Sequence, residues 1–177
     1  KDGIPFHPYY SVKDIVGVVV FLMIFSAIVF FAPALGGYFL EAPNFIEANP
    51  LKTPDHIAPL WYLTPFYSVL RAIPPMFGSQ LPGVLAMFAA LLILIALPWL
   101  DRSKVKSIRY RSWPYKAALG IFVVTFLMLG WLGMQAVTPL YSLLAQIFTA
   151  LYFGFFILMP WFTSIGKTKQ EPTRTTE

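Results

Sequence analysis

The sequence has no cysteine, and it has two histidines among 177 residues. Without cysteine the chain forms no disulfide, no thiolate metal site and no cysteine nucleophile. Charged residues are also scarce, at 12% of the chain against roughly a quarter in ordinary globular proteins. This composition argues against a soluble domain with a charged surface.

Three long stretches contain no charged residue, namely residues 15–40, 72–100 and 117–166. A helix that crosses the hydrocarbon core of a bilayer needs about 20 apolar residues, so the first two stretches each hold one span and the third holds two. The sequence therefore predicts an all-α membrane protein with four transmembrane helices. We place the spans at about residues 15–31, 84–97, 117–133 and 140–159. They form one domain, residues 1–166, followed by a polar tail, residues 167–177, that is predicted to be disordered.

Lysine and arginine are distributed unevenly between the two faces of this topology. Eleven of the thirteen fall in the amino-terminal segment, the loop between the second and third spans, and the tail. Because such residues collect on the cytoplasmic or matrix side, both termini are expected there and residues 38–81 are expected outside. The insert PPMFGSQLPG favours a bacterial inner membrane over a mitochondrial one. The basic charge is explained by topology and by contact with the lipid bilayer, and not by nucleic acid.

The loop between the first two spans is long and unusually apolar, and loops of this length are usually functional. Apolar residues recur every three or four positions from Ile57 to Leu70, which predicts a short helix over about residues 63–71. The aromatic residues of this loop allow two interpretations. They form either a belt at the level of the lipid headgroups or the wall of an apolar pocket with a few orienting polar groups.

The ionisable residues outside the loop are equally open to two interpretations. Lys13 and Asp14 lie where the first span enters the membrane, where an acid complements the helix dipole and a lysine extends to the interface. Alternatively, they belong to a functional site. His7 and His56 lie outside every span on opposite faces, so they cannot clamp one haem. No span contains an ionisable residue of the kind that marks the ion path of a transporter or channel.

Two segments resemble a known family. The block NPLKTPDHIAPLWYLTPFYSVLRAIP, residues 49–74, resembles the outer loop and short helix of cytochrome b, the membrane core of the respiratory cytochrome bc complex (complex III). Residues 59–62 match the Pro-X-Trp-Tyr signature of that family. The opening IPFHPYYSVKD, residues 4–14, resembles the family's entry into its fifth helix. The resemblance covers most of the chain and indicates the carboxy-terminal half of a cytochrome b.

By this resemblance, the outer loop would form one wall of a quinol-oxidation site, in which Tyr67 supplies a hydroxyl. The residues that would line or support the pocket are Pro59, Leu60, Trp61, Tyr62 and Leu63. Leu60 departs from the family, which usually has a glutamate there, proposed to accept a proton from the quinol. Leucine cannot accept a proton, so that role would pass to another group, to water or to a partner subunit.

The entry segment would help to form a second, inner site for quinone reduction. There Asp14 would accept a hydrogen bond from a quinone hydroxyl or a nearby water. Lys13 would steer protons or hold the developing quinone anion. Phe6 and Tyr10 would pack nearby.

The resemblance thus implies a membrane subunit of ubiquinol:cytochrome c reductase that couples electron transfer to proton translocation and is inactive as an isolated chain. Its substrates would be ubiquinol and ubiquinone. Haem b would be bound by the amino-terminal half of cytochrome b, because the haem ligands are absent from this chain. The other expected partners are the Rieske iron–sulfur protein and a cytochrome c-type subunit in a dimeric complex. The alternatives are a structural subunit of a related quinol-oxidising complex and a small transporter.

Overall fold

A computed structural model of the chain describes residues 3–37, 39–40, 46–52, 57–76 and 78–170. The chain divides into two compact units, with the described residues 3–52 in the first and 57–170 in the second. His56 and the last seven residues of the predicted disordered tail lie outside the described residues.

The first unit is built on one long helix, α1, Ser11–Phe31. A π-helical turn, Phe6–Tyr10, leads into this helix, and a 3-10 turn, Leu35–Gly37, follows it. Gly36 and Gly37 have φ angles of 67° and 95°, a region that glycine adopts without steric hindrance. Within the described structure no residue of α1 is buried. An apolar helix with no buried face needs lipid or other membrane helices around it.

The second unit contains a short helix and three long helical segments. Its helices are α2, Thr64–Ala72; α3, Leu81–Leu92; α4, Leu97–Leu100; α5, Trp113–Met134; and α6, Pro139–Ser164. A 3-10 turn, Ile93–Ala96, joins α3 to α4. Each of these α-helices has a proline at its first or second position, where the missing N–H would have no partner within the helix.

Among the described residues, four helical segments are long and apolar enough to cross a membrane: 6–31, 81–100, 113–134 and 139–164. The short helix α2 lies in the long connection between the first two of them. Within the described residues there is no β-strand, and the isolated bridge between Met76 and Ser79 is the β-type pairing found there. The predicted fold class is confirmed: this is an all-α membrane protein with four transmembrane helices.

Two prolines lie inside helical segments that the sequence predicts to end there. The second span continues past Pro98, because a 3-10 turn precedes this residue and places it in the first turn of α4. The last span continues for another turn past Pro160. There Phe162 is buried in the core, and the Thr163 hydroxyl accepts a hydrogen bond from the Arg102 N–H at 3.1 Å. Packing outweighs the loss of one backbone hydrogen bond at Pro160.

The core of the second unit lies where α3, α5 and α6 meet. Leu129 and Phe156 are almost fully buried at its centre, with Tyr152 beside them. The Tyr152 hydroxyl donates a hydrogen bond of 2.8 Å to the Ala90 carbonyl, which links α6 to α3. A hydroxyl in hydrocarbon needs such a partner, since no water is available to it.

The short helix α2 packs at one end of this bundle, against the end of α5 and the beginnings of α3 and α6. Glycines permit the close approach. A Cβ added at Gly133 of α5 would overlap the backbone carbonyl of Thr64. A Cβ added at Gly83 of α3 would lie 2.5 Å from the Leu70 carbonyl oxygen. The position of α2 is therefore set by contacts between backbones.

We predict that Gly133→Ala destabilises the protein, because its methyl group would push α2 away from α5. Overpacking of this kind typically costs about 1–3 kcal/mol. Gly130→Ala is the matched control on the same helix, since its Cβ would make an ordinary contact of 3.5 Å with Pro65. Alanine also favours a helix over glycine by up to about 1 kcal/mol.

Thermal unfolding of the purified membrane protein measures both variants. Gly133→Ala should unfold below the wild type, and Gly130→Ala at or above it. An equal effect of the two substitutions would contradict the close contact between α2 and α5.

Candidate functional site

The five predicted pocket residues, 59–63, form a turn that leads directly into α2; we call it the PLWYL turn. The Leu63 N–H donates a hydrogen bond of 2.8 Å to the Leu60 carbonyl, which closes the turn. The Leu63 carbonyl accepts from the Tyr67 N–H at 3.0 Å, so the turn continues into the helix. The buried Thr64 hydroxyl donates to the Trp61 carbonyl at 2.6 Å. The backbone of the turn is therefore fixed by α2.

The side chains of this turn are only partly covered by the rest of the unit. Leu60 is 39% exposed, Trp61 49%, Tyr62 51% and Leu63 46%. The rings of Trp61 and Tyr62 meet edge to face with their centroids 5.7 Å apart. Apolar side chains on a rigid turn, open on one side, are suited to contact with a flat apolar ligand or a partner protein.

Tyr67 and Arg71 stand one helical turn apart on α2, and both are half-buried. The Arg71 guanidinium lies over the Tyr67 ring, 5.4 Å from its centroid. It also donates hydrogen bonds to the carbonyls of Gln135 at 3.0 Å and Gly133 at 3.4 Å. The last carbonyls of a helix lack partners within the helix and carry partial negative charge, so a guanidinium is favourable there. Arg71 thus links α2 to the end of α5 and covers one face of Tyr67.

Arg71 is a site residue that the sequence prediction does not include. Its spacing of four residues from Tyr67 in a predicted helix was a usable signal, because residues at i and i+4 lie on the same face. Its other partners, Gly133 and Gln135, lie 62 and 64 residues further along the chain. No local pattern predicts contacts at that separation.

The four residues predicted at the inner site all lie in the first unit: Phe6, Tyr10, Lys13 and Asp14. The rings of Phe6 and Tyr10 stack with centroids 6.1 Å apart and an angle of 19° between their planes. His7 Nδ1 and Ser11 Oγ form a hydrogen bond of 3.2 Å, which connects the π-helical turn to the start of α1. The aromatic pair and the beginning of the helix therefore form one local structure.

Lys13 and Asp14 are both exposed in the first turn of α1. Neither forms an ion pair within 4.0 Å with any residue that the structure describes. The Asp14 carboxylate complements the partial positive charge at the start of the helix. Both charged groups also remain accessible to water and to a ligand.

The described residues do not provide a metal or haem site. No group of three or more histidine, cysteine, aspartate or glutamate side chains comes together in the part of the chain that is described. His7, the histidine within that part, is exposed and bonded to Ser11. A haem held between two facing imidazoles at membrane depth does not fit this arrangement.

Known proteins resemble this chain over its whole length. Residues 47–153 match the family described as Cytochrome b(C-terminal)/b6/petD. The chain is 64% identical to cytochrome b of Allochromatium vinosum, over 99% of this chain and 42% of that protein. It is 48% identical to cytochrome b of Rhodospirillum rubrum, over 91% of this chain and 39% of that protein.

A solved structure also resembles this chain. A chain of a hyperthermophilic respiratory complex III matches with a TM-score of 0.81 and 41% identity, covering 94% of this chain and 41% of that one. This chain therefore spans about two fifths of the length of the proteins that it resembles.

We predict that Arg71→Gln loosens α2, because it removes the cation over Tyr67 and weakens both bonds to α5. Hydrogen bonds from a charged group contribute about 1.5–3 kcal/mol. Arg71→Lys keeps the charge but lacks the planar fork, so an intermediate effect is expected. Hydrogen exchange of residues 64–72 in the assembled protein measures the effect.

The matched control is Arg109→Gln. Arg109 is exposed and lies near the start of α5, whereas α2 contacts the opposite end of that helix. The control substitution should leave exchange in α2 unchanged. Unchanged protection in Arg71→Gln would show that other contacts hold α2 in place.

Proposed function

Because this chain belongs to the cytochrome b carboxy-terminal family, we propose that it is a membrane subunit of a ubiquinol:cytochrome c reductase that couples electron transfer to proton translocation. The observation that carries the proposal is the PLWYL turn, a rigid and half-open apolar surface that bears the Pro-X-Trp-Tyr signature. The similarity to cytochrome b over 99% of the chain supports the same assignment. The chain would act within an assembly and not in isolation.

We assign quinol oxidation to the surface formed by the PLWYL turn. A ubiquinol is a flat ring with hydroxyls at opposite ends, and it loses two electrons and two protons on becoming ubiquinone. The rings of Trp61 and Tyr62, with Leu60 and Leu63, would contact the apolar body of the quinol. The hydroxyl of the half-buried residue Tyr67 would be the polar group that orients it.

The two protons must leave without a carboxylate at position 60. Leu60 has no atom that can accept a proton, and the Tyr67 hydroxyl offers a hydrogen-bond donor and acceptor. We therefore give Tyr67 an orienting role, in which it bonds the quinol hydroxyl or a water molecule. Water or a partner subunit would take the two protons, and the two electrons would pass to haem b and to the iron–sulfur partner.

We assign quinone reduction to the entry segment, residues 4–14. Reduction adds two electrons and two protons to the quinone. The Asp14 carboxylate would bond the nascent hydroxyl directly or through water, and the Lys13 ammonium would stabilise the anion that forms before protonation. The stacked pair Phe6 and Tyr10 would pack beside the quinone ring. The exposure of both charged groups and their lack of an ionic partner among the described residues support this role.

The proposed assembly includes the amino-terminal half of cytochrome b, which the greater length of the relatives supports. Haem b would be bound in that half, where it would accept and donate single electrons. The other proposed partners are a Rieske iron–sulfur protein and a cytochrome c-type subunit, in a dimeric complex. We place the complex in a bacterial inner membrane, with both termini of this chain on the cytoplasmic side.

We predict that Asp14→Asn slows turnover at the inner site, because it keeps the size of the side chain and removes its charge. Quinol oxidation at the outer site should persist and serves as the internal control. Asp14→Glu keeps the carboxylate and should retain most of the activity. The rate at which added quinone reoxidises pre-reduced haem b in the assembled complex, followed with the outer site inhibited, tests this. A change within about twofold, roughly 0.4 kcal/mol, would favour the helix-dipole role for Asp14.

For the outer site we predict that adding a carboxyl group brings no gain in quinol oxidation and that removing a hydroxyl lowers it. Leu60→Glu should not raise quinol oxidation, because desolvation beneath a bound quinol would raise the pKa of the new carboxyl and keep it neutral. Tyr67→Leu should lower oxidation. Tyr67→Phe removes the hydroxyl and keeps the ring beneath Arg71, so it separates hydrogen bonding from packing.

The measurement is outer-site turnover of the assembled complex as a function of pH. A several-fold gain in Leu60→Glu would show that no other group has replaced the carboxylate. Unchanged rates in both Tyr67 variants would remove this residue from the site. A purified assembly with no quinol oxidation of its own would favour a structural subunit of a related complex.

A further inference from the structure

An apolar groove with a volume of about 510 Å³ runs between α5 and α6. Every residue that lines it is apolar, and its main walls are Ala118, Phe122, Gly154, Phe155, Leu158 and Phe162. Its volume is in the range of ligand pockets, roughly 300–1,000 Å³. The groove takes no part in the proposed quinone sites, since it contains none of their residues.

A row of packed rings lies along the groove and continues past its lining residues to Tyr115. Phe122 stacks on Phe155 with centroids 4.4 Å apart, Phe155 meets Phe162 at 5.4 Å, and Phe162 meets Tyr115 at 6.2 Å. The space beside Gly154 is open, because a Cβ added there would have no atom within 4 Å. The groove is therefore apolar and preformed.

One end of the groove lies where α5 begins and α6 ends. Trp113 and Trp161 are 77% and 65% exposed at this end of the bundle. Exposed tryptophans at the ends of membrane helices mark the level of the lipid headgroups. The chain after α6 returns across the start of α5, where the Ser112 hydroxyl donates a hydrogen bond of 3.1 Å to the Ile165 carbonyl. The groove therefore runs from the interface into the hydrocarbon region.

The same end of the bundle is strongly cationic. The Lys169 N–H donates to the Tyr110 carbonyl at 2.9 Å, which brings the segment with Lys167 and Lys169 beside the loop that precedes α5. The basic residues of that loop and the first turn of α5 are Arg102, Lys104, Lys106, Arg109, Arg111 and Lys116. Within the described part of the second unit Asp101 is the one acidic residue. Its carboxylate pairs with the Arg111 guanidinium at 2.6 Å. The remaining cations are uncompensated within that part.

We propose that the groove holds an acyl chain of an anionic phospholipid whose phosphate is bound by Lys167 and Lys169. An apolar channel with cations at its interfacial end matches the two parts of such a lipid. Basic pockets between membrane helices bind anionic headgroups in this way. A transmembrane helix of a partner protein would fill the channel but would leave the lysines without a counter-charge.

The first test blocks the channel. Gly154→Leu places a side chain in the groove from a position where the Cβ meets no atom within 4 Å. It should lower by one the number of phosphatidylglycerol molecules that each copy retains in the purified complex. The count comes from native mass spectrometry. Gly120→Leu is the matched control, because Gly120 is an exposed glycine of α5 outside the groove and also has open space around it. It should retain the full number.

The second test concerns the headgroup. The delipidated complex is titrated with dioleoylphosphatidylglycerol or dioleoylphosphatidylcholine, and its thermal stabilisation is followed. In the double variant Lys167→Gln/Lys169→Gln, the apparent affinity for phosphatidylglycerol should fall roughly 5- to 30-fold. Binding of phosphatidylcholine should stay unchanged.

Three results would overturn the proposal. One is equal stabilisation of the wild type by the two lipids. Another is an equal loss of lipid in Gly154→Leu and Gly120→Leu. The third is the loss of a protein subunit in Gly154→Leu, which would identify the groove as a docking site for a helix.

Discussion

The contact between α2 and the end of α5 is the interaction on which the candidate outer site depends. The PLWYL turn has no buried face of its own, and it takes its shape from hydrogen bonds to the first turns of α2. Gly133 lets the two helices meet backbone to backbone, and Arg71 bonds the free carbonyls at the end of α5. A short helix that would be marginal alone is thereby made rigid.

Three polar side chains of the second unit are placed where a backbone carbonyl or an opposite charge is available: Arg71 at the end of α5, Tyr152 on the Ala90 carbonyl, and Arg111 on Asp101. This follows from the solvent, because hydrocarbon cannot satisfy an unpaired donor. The two ends of the bundle then differ chemically. The α2 end presents rings and a hydroxyl, and the other end presents cations around an apolar groove.

This division suits a subunit that handles an apolar redox substrate in a membrane. Aromatic and aliphatic side chains on a fixed turn can recognise a quinol ring without burying a charge. Leu60 makes this surface more apolar than the glutamate that the resemblance implies at this position, so in the proposed reaction water or a partner subunit would accept the proton. The cationic end, in contrast, is suited to contact with the anionic surface of a bilayer.

The sequence by itself determined the fold class, the number of spans and the short helix, because each of these depends on apolar periodicity and on where charges are absent. It also indicated the PLWYL turn and the residues of the entry segment through the family resemblance. Only the tertiary structure decided that Pro98 and Pro160 lie within helical segments, that Arg71 belongs with Tyr67, and that a groove lies between α5 and α6. These features depend on contacts between residues about 60 positions apart, or on which helix faces pack against each other. Local sequence patterns predict neither.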